Sequence, residues 1–175
     1  MSIWGKLLAG TFGFALGGPI GALLGVIAGH SVDKIRKQTS GIDGNIQSPQ
    51  EVITVGIIIL AAKLSKSDGQ VTSEEISAFK EKFKIPPNFQ SDVGKIFNEA
   101  KKSSDDYHQY AQQLGMIFRG QPQVLEQIIN LLFFIAEADG EISRPEILFI
   151  EGCAKYFGLN KNQYDSIQTI WLDKQ

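Results

Sequence analysis

The sequence predicts an all-α protein, with an N-terminal glycine-rich transmembrane helix followed by a bundle of about seven helices that contains an internal helix-pair repeat. Three observations carry this expectation. Residues 7–29 form an uncharged run; the rest of the chain is punctuated by helix start and stop signals with no convincing alternating strand; and one acidic motif occurs twice, 71 residues apart.

The head comes first. The 23 residues from Leu7 to Gly29 lack any charged side chain, and at a rise of about 1.5 Å each they would reach about 34 Å as a helix, enough for a hydrocarbon core of about 30 Å. A cleaved signal peptide has a shorter apolar core, of about 7 to 15 residues. The run is followed by Lys34, Arg36 and Lys37 around a lone Asp33, and such cations mark the cytoplasmic side. The expectation is a single-pass protein with its amino terminus outside and its body in the cytoplasm. Gly13, Gly17, Gly21, Gly25 and Gly29 recur every fourth residue, which on one helix places them along a flat stripe suited to close helix packing. That spacing predicts a homodimer formed through the membrane segment. Gly18-Pro19 is the place where the segment would kink or turn back as a re-entrant hairpin.

Residues 1–37 are thus assigned to the anchor with its basic flank, 38–47 ("QTSGIDGNIQ") to a linker, and 48–175 to the helical domain. "SPQE" at 48–51 places Ser48 at an N-cap, Pro49 at the first helical position and Glu51 where a capping box needs it. The helix that follows is apolar nearly all round from Val52 to Leu64, which predicts a central, buried helix. Further helices are expected over about 73–84, 88–101, 104–118, 123–137, 144–157 and 161–172. The one over 123–137 is again apolar around most of its circumference.

Composition narrows the function. With 43% hydrophobic and 21% charged residues the chain is neither disordered nor a polytopic membrane protein. Its net charge of −2 is unevenly spread: residues 1–37 carry +3, so the body carries −5. A body of that sign repels phosphate, and no nucleic-acid partner is expected. The single cysteine, Cys153, excludes an internal disulfide and is consistent with a reducing compartment.

The repeat is the most informative feature. "KSDGQVTSEEISAF" at 66–79 returns as "EADGEISRPEILFI" at 137–150, matching Asp68 with Asp139, Gly69 with Gly140, Val71 with Ile142, Thr72 with Ser143 and Glu75 with Glu146. Three readings are open, one of them a plain acidic docking surface. In the structural one, Asp-Gly turns the chain, the β-branched residue enters the core, Thr72 or Ser143 caps the next helix, and Glu75 or Glu146 closes the capping box. In the functional one, Asp68, Glu75, Asp139 and Glu146 share a divalent cation across a pseudo-twofold axis. Neither loop alone is an EF-hand, because its first ligand position would be Leu64 or Ile135. No cofactor is required by any motif.

Other chemistry is sparse. His30 and His108 lack partners at metal or triad spacing, Cys153 lies within an apolar pattern, and Asp105-Asp106 suit the first turn of a helix. No phosphate-binding glycine loop follows the head's glycines. An enzyme is not expected.

These residues resemble a known family. The head, through Trp4, Gly5, Lys6, Gly29, His30 and Asp33, is similar to the membrane segment of DjlA-type DnaJ-like co-chaperones; the body, through its two D-G-x-[VI]-[ST]-x-x-E copies, is similar to the TerB-like domain that follows it there. The resemblance implies an inner-membrane protein that associates through its membrane segment and whose helical body binds a protein client or regulator. In that family a C-terminal J-domain bearing His-Pro-Asp stimulates DnaK. No His-Pro-Asp occurs in these 175 residues, so DnaK is an expected partner only where a J-domain follows. TerB-like domains are also associated with tellurite resistance and metal-linked stress responses, an alternative that would use Asp68, Glu75, Asp139 and Glu146.

Overall fold

The computed structural model describes residues 17–29, 49–69, 71–87 and 90–173. Among them every regular element is helical: α1 (Gly18–Gly29), α2 (Pro49–Ser67), α3 (Ser73–Phe83), α4 (Gln90–Ala100), α5 (Tyr107–Ile117), α6 (Pro122–Ala136), α7 (Arg144–Tyr156) and α8 (Lys161–Leu172). The seven body helices start and stop within a few residues of the expected places, because their signals are local. Thr72, Ser143 and Asn160 each accept a hydrogen bond from the backbone N–H three residues on, and Glu75, Glu146 and Gln163 reach back to complete three capping boxes. Pro122 opens α6, a first-turn position where its missing N–H costs nothing.

Helix α2 is the centre of the bundle, packed against α4, α5, α6 and α7. A helix apolar on all sides can only be stable with neighbours on all sides, and Ile58, Ile59, Leu60, Ala61, Ala62 and Leu64 are all fully buried. Helix α6 is the second hub, burying Ile128, Ile129, Leu132 and Phe133. Helix α8 closes over it, with the Trp171 ring stacked on Phe133 at 6.3 Å between centroids and its Nε1–H donating to Asn130 Oδ1 (3.1 Å). Cys153 is fully buried, and burial pushes its thiol far above the ordinary range, which leaves it unreactive.

The crossing of α5 and α7 depends on glycine. A Cβ on Gly115 of α5 would lie 2.4 Å from the Tyr156 carbonyl oxygen of α7, and backbone cannot swing aside as a side-chain tip can. Gly115→Ala is therefore expected to destabilise the protein by about 2 kcal/mol through forced separation of α5 and α7, read as a lower midpoint in urea with an unchanged slope. A midpoint equal to that of the parent would contradict this crossing.

The head departs from expectation. In place of one helix over 7–29, α1 begins at Gly18, after Gly17 and Gly18 adopt φ of +59° and +61°. Glycine tolerates that left-handed backbone, and Pro19 with its fixed φ suits a helix start. Twelve residues give about 18 Å, and among the described residues no helix is long and apolar enough to cross a membrane. Gly17 thus lies outside the helix; Gly21 is buried, and Gly25 is half-buried with open space where its Cβ would stand. The even stripe of five glycines on one helix is corrected accordingly. Residues 1–16 with Gly13, and 30–48 with His30, Lys34, Arg36, Lys37 and Ser48, lie outside the described residues. Helix α1 does not stand apart but packs on α4 and α5, burying Ile20, Leu23 and Leu24.

Candidate functional site at the paired Asp-Gly loops

Each copy of the repeat builds the same local structure. Gly69 and Gly140 take φ of +99° and +100°, the left-handed geometry that lets an Asp-Gly turn leave one helix and enter the next. Their N–H groups donate to the carbonyls of Lys66 and Glu137, both at 2.9 Å. In the first copy the Thr72 N–H donates to Glu75 Oε2 (2.8 Å) and the Glu75 N–H to Thr72 Oγ1 (3.2 Å). In the second, the Ser143 N–H donates to Glu146 Oε2 (2.8 Å) and the Glu146 N–H to Ser143 Oγ (3.4 Å). Ile142 is buried as expected, while Val71 is only half-buried.

The fold sets the two copies side by side. Helix α3 packs on α6 and on the short 3₁₀ turn Glu137–Asp139 that leads into the second loop, and α2, which ends at the first loop, packs on α7. Glu75 and Glu146 are both nearly inaccessible, at 2% and 3% exposure. Burial pushes the Glu146 carboxyl up to about 7; hydrogen bonds from Ser143 oppose the rise, and the nearby charges of Glu75 and Asp68 add to it. Burial raises Glu75 as well, against hydrogen bonds from Thr72, with Asp68 adding to the rise. The Ser65 hydroxyl, buried beside Glu75, favours its charged form without reaching hydrogen-bond geometry; Ser65 Oγ and Ser67 Oγ are the buried side-chain oxygens left without a partner among the described residues.

The four matched acids therefore split into two kinds. Glu75 and Glu146 turn inward onto their own caps, whereas Asp68 and Asp139 are exposed in the turns, where Asp139 Oδ1 accepts the Glu141 N–H (3.3 Å). Among the described residues no group of three His, Cys, Asp or Glu side chains is placed to hold a metal ion. What the arrangement does create is a set of adjoining acids in which Glu75 and Asp68 act on Glu146, leaving that glutamate poised to hold a proton near neutrality.

Sequence reasoning missed two polar residues with larger structural roles. Lys63, within the apolar run of α2, is 2% exposed and donates to the carbonyls of Ala100 (3.1 Å) and Ser103 (2.9 Å) and to Asp106 Oδ1 (2.5 Å), with its ammonium 4.7 Å from the Tyr110 ring centroid. Asp106 stands at the N-cap of α5 but makes no side-chain cap, because it faces Lys63 instead. Gln113 of α5 is the second, and it holds α1. A charged residue in an otherwise apolar run was the available signal for Lys63; nothing in the local pattern marked Gln113.

With this architecture in view, comparison with known proteins identifies its class. Residues 54–169 match the family described as tellurite resistance protein TerB, more than half of the chain, and the chain belongs to that family. Residues 1–48 match the co-chaperone DjlA transmembrane domain. Among individual proteins, the chain is similar to the co-chaperone protein DjlA of Photobacterium profundum, 27% identical over 175 residues that cover 93% of this chain and 63% of the relative. It is similar also to the proteins of that name from Legionella pneumophila (25% identical, 89% of this chain, 55% of the relative) and Escherichia coli (22%, 94% and 62%). The chain thus spans less than two thirds of the length of these relatives. No solved structure matches it.

Proposed function

We propose that this chain is the membrane-anchoring and interaction part of a DjlA-like co-chaperone of the bacterial inner membrane. The observation that carries the proposal is the order of its two matched segments: a DjlA transmembrane domain over residues 1–48 is followed by a TerB domain over 54–169, and similarity to DjlA proteins runs through about nine tenths of the chain. The mechanism is recruitment. The head concentrates the body at the cytoplasmic face, with Lys34, Arg36 and Lys37 at the boundary, and pairs with a second copy through the glycines that α1 carries, Gly21, Gly25 and Gly29; the bundle binds a protein client or regulator. A stable framework built on capping boxes and two buried hub helices suits binding. DnaK becomes a partner where a J-domain follows the body.

The test is protease treatment of spheroplasts from cells expressing the full chain. The chain should sediment with membranes, resist alkaline extraction, and keep residues 49–173 intact until the spheroplasts are lysed. Digestion of the body in intact spheroplasts would reverse the orientation, and release of the chain by alkaline wash would remove the anchor.

A second reading is favoured by the closeness of the acidic groups Glu146, Glu75 and Asp68, with the buried Ser65 hydroxyl beside Glu75. On it, a divalent cation binds at the paired loops with Asp68, Glu75, Asp139 and Glu146, as part of a metal-linked stress response. Calcium titration followed by amide spectra discriminates: saturable shifts at both loops, abolished by Asp68→Asn with Asp139→Asn, favour the metal role, and silence at millimolar ion leaves the loops as turn-and-cap structure.

A further inference from the structure

Helix α1 is gripped by the body at its first turn. A helix start leaves N–H groups without intrahelical acceptors, and here one is satisfied from far along the chain: the Ile20 N–H donates to Gln113 Oε1 (2.9 Å), 93 residues away. Gln113 Nε2 in turn donates to the Gly17 carbonyl (3.1 Å). The fit is close, since a Cβ on Gly18 would lie 2.9 Å from Gln113 Nε2. Below this clamp Ile20, Leu23 and Leu24 are buried, while Ala22 and Val26 face outward, Val26 being 47% exposed.

The surroundings of docked α1 are incompatible with lipid. Beside Leu23 and Val26 lies a groove lined also by Glu99, Lys102, Ser103 and Asp106, and a hydrocarbon core does not accept such groups on a lipid-facing surface. Yet residues 18–29 belong to the segment matched by the transmembrane domain. The same twelve residues are suited to two environments that they cannot occupy together.

We propose that the α4–α5 face is a receptor surface for the chain's own membrane segment: α1 occupies it away from lipid and leaves it when the segment enters a bilayer, so that docking and insertion exclude each other. Docking shields Ile20, Leu23 and Leu24 from water before insertion. Release opens an apolar face with the Gln113 amide at one end and Lys63 with Asp106 at the other, and it frees Gly21 for packing in the membrane. Because a released Gln113 side chain returns to water without penalty, the clamp acts only on the docked state, and its two hydrogen bonds together set the balance by about tenfold. The proposal rests on the membrane association argued above.

Thiol labelling of the full chain tests it. The native Cys153 is fully buried and serves as the unreactive background. Val26→Cys and Leu23→Cys are made separately, with Leu24→Cys as a second buried probe, and treated with a water-soluble maleimide in buffer and with phosphatidylethanolamine–phosphatidylglycerol vesicles, flotation reporting binding. In buffer, position 26 should label at least tenfold faster than positions 23 and 24. On vesicles it should become protected by at least tenfold, and adding Gln113→Ala should bring that protection on at about tenfold less lipid. Equal labelling of all three positions in buffer would overturn docking. Chains that float with the vesicles while position 26 still labels at its buffer rate would overturn the exchange and leave membrane association standing. Failure to float would overturn both.

Discussion

Replacing Lys63 with alanine is expected to cost about 4 kcal/mol of stability, the largest effect of any single polar substitution in the body. Its ammonium uses three donors on the Ala100 and Ser103 carbonyls and on Asp106, at 2% exposure. Ala100 ends α4 and Asp106 stands at the N-cap of α5, so one side chain from α2 ties the turn between these helices to the centre of the bundle. The cation also lies at the negative end of the α4 dipole. Removing one partner of a buried charged network leaves the others desolvated and unpaired, which typically costs about 3–5 kcal/mol, and the lost stem removes packing as well. Lys63→Met keeps the stem and should recover about 1 kcal/mol of that loss. Asp106→Asn should cost less, about 1 kcal/mol, because Asp106 is 38% exposed and water can take over. Urea unfolding of the three variants checks the order; an Asp106→Asn loss as large as that of Lys63→Ala would mean that the ion pair, and not the carbonyl contacts, carries the effect.

Glu146→Gln should change how stability depends on pH. Burial, assisted by Glu75 and Asp68, raises the folded-state carboxyl to about 7 from an ordinary value of 4.5. The folded protein therefore keeps this proton over a range in which the unfolded chain has released it. The contribution is fully present below about pH 4.5 and is lost as pH rises through about 7, with an upper limit of about 3 kcal/mol. Glutamine at this position preserves the cap, since its amide oxygen still accepts the Ser143 N–H. The variant should lose the downward slope between pH 5 and 8 and exceed the parent by about 2 kcal/mol at pH 8, measured by unfolding at stepped pH. Glu75, whose carboxyl burial also raises, keeps a residual slope of the same sign. Identical pH profiles for parent and variant would show that Glu146 is not the group that holds the proton.

The repeat shows how much of the candidate site was legible. Turn, cap and capping box were each readable in "DGQVTSEE" and "DGEISRPE", because every partner in these motifs lies within a few residues and backbone geometry alone brings them together. That the two loops adjoin was only an option, for it depends on how α3 lies on α6 and its 3₁₀ extension. The inward turn of Glu75 and Glu146, which separates them from Asp68 and Asp139, follows from the local cap, and their mutual field follows from the packing.

The sequence by itself determined the all-helical class, the seven body helices with their ends, the burial of α2 and α6, and the likeness to a DjlA-type head joined to a TerB domain. All of these rest on apolar periodicity and on capping contacts a few residues long, or on motifs readable in order. Only the tertiary structure decided the place of Lys63, the clamp of Gln113 and the seating of α1 on the body, whose partners lie 37 to 96 residues away. An uncharged, glycine-rich segment satisfies the requirements of a lipid core and of a protein groove equally well, since both reward buried apolar surface and internally paired backbone. What distinguishes them is the Gln113 amide together with the polar groove beside Leu23 and Val26, and both are properties of the fold.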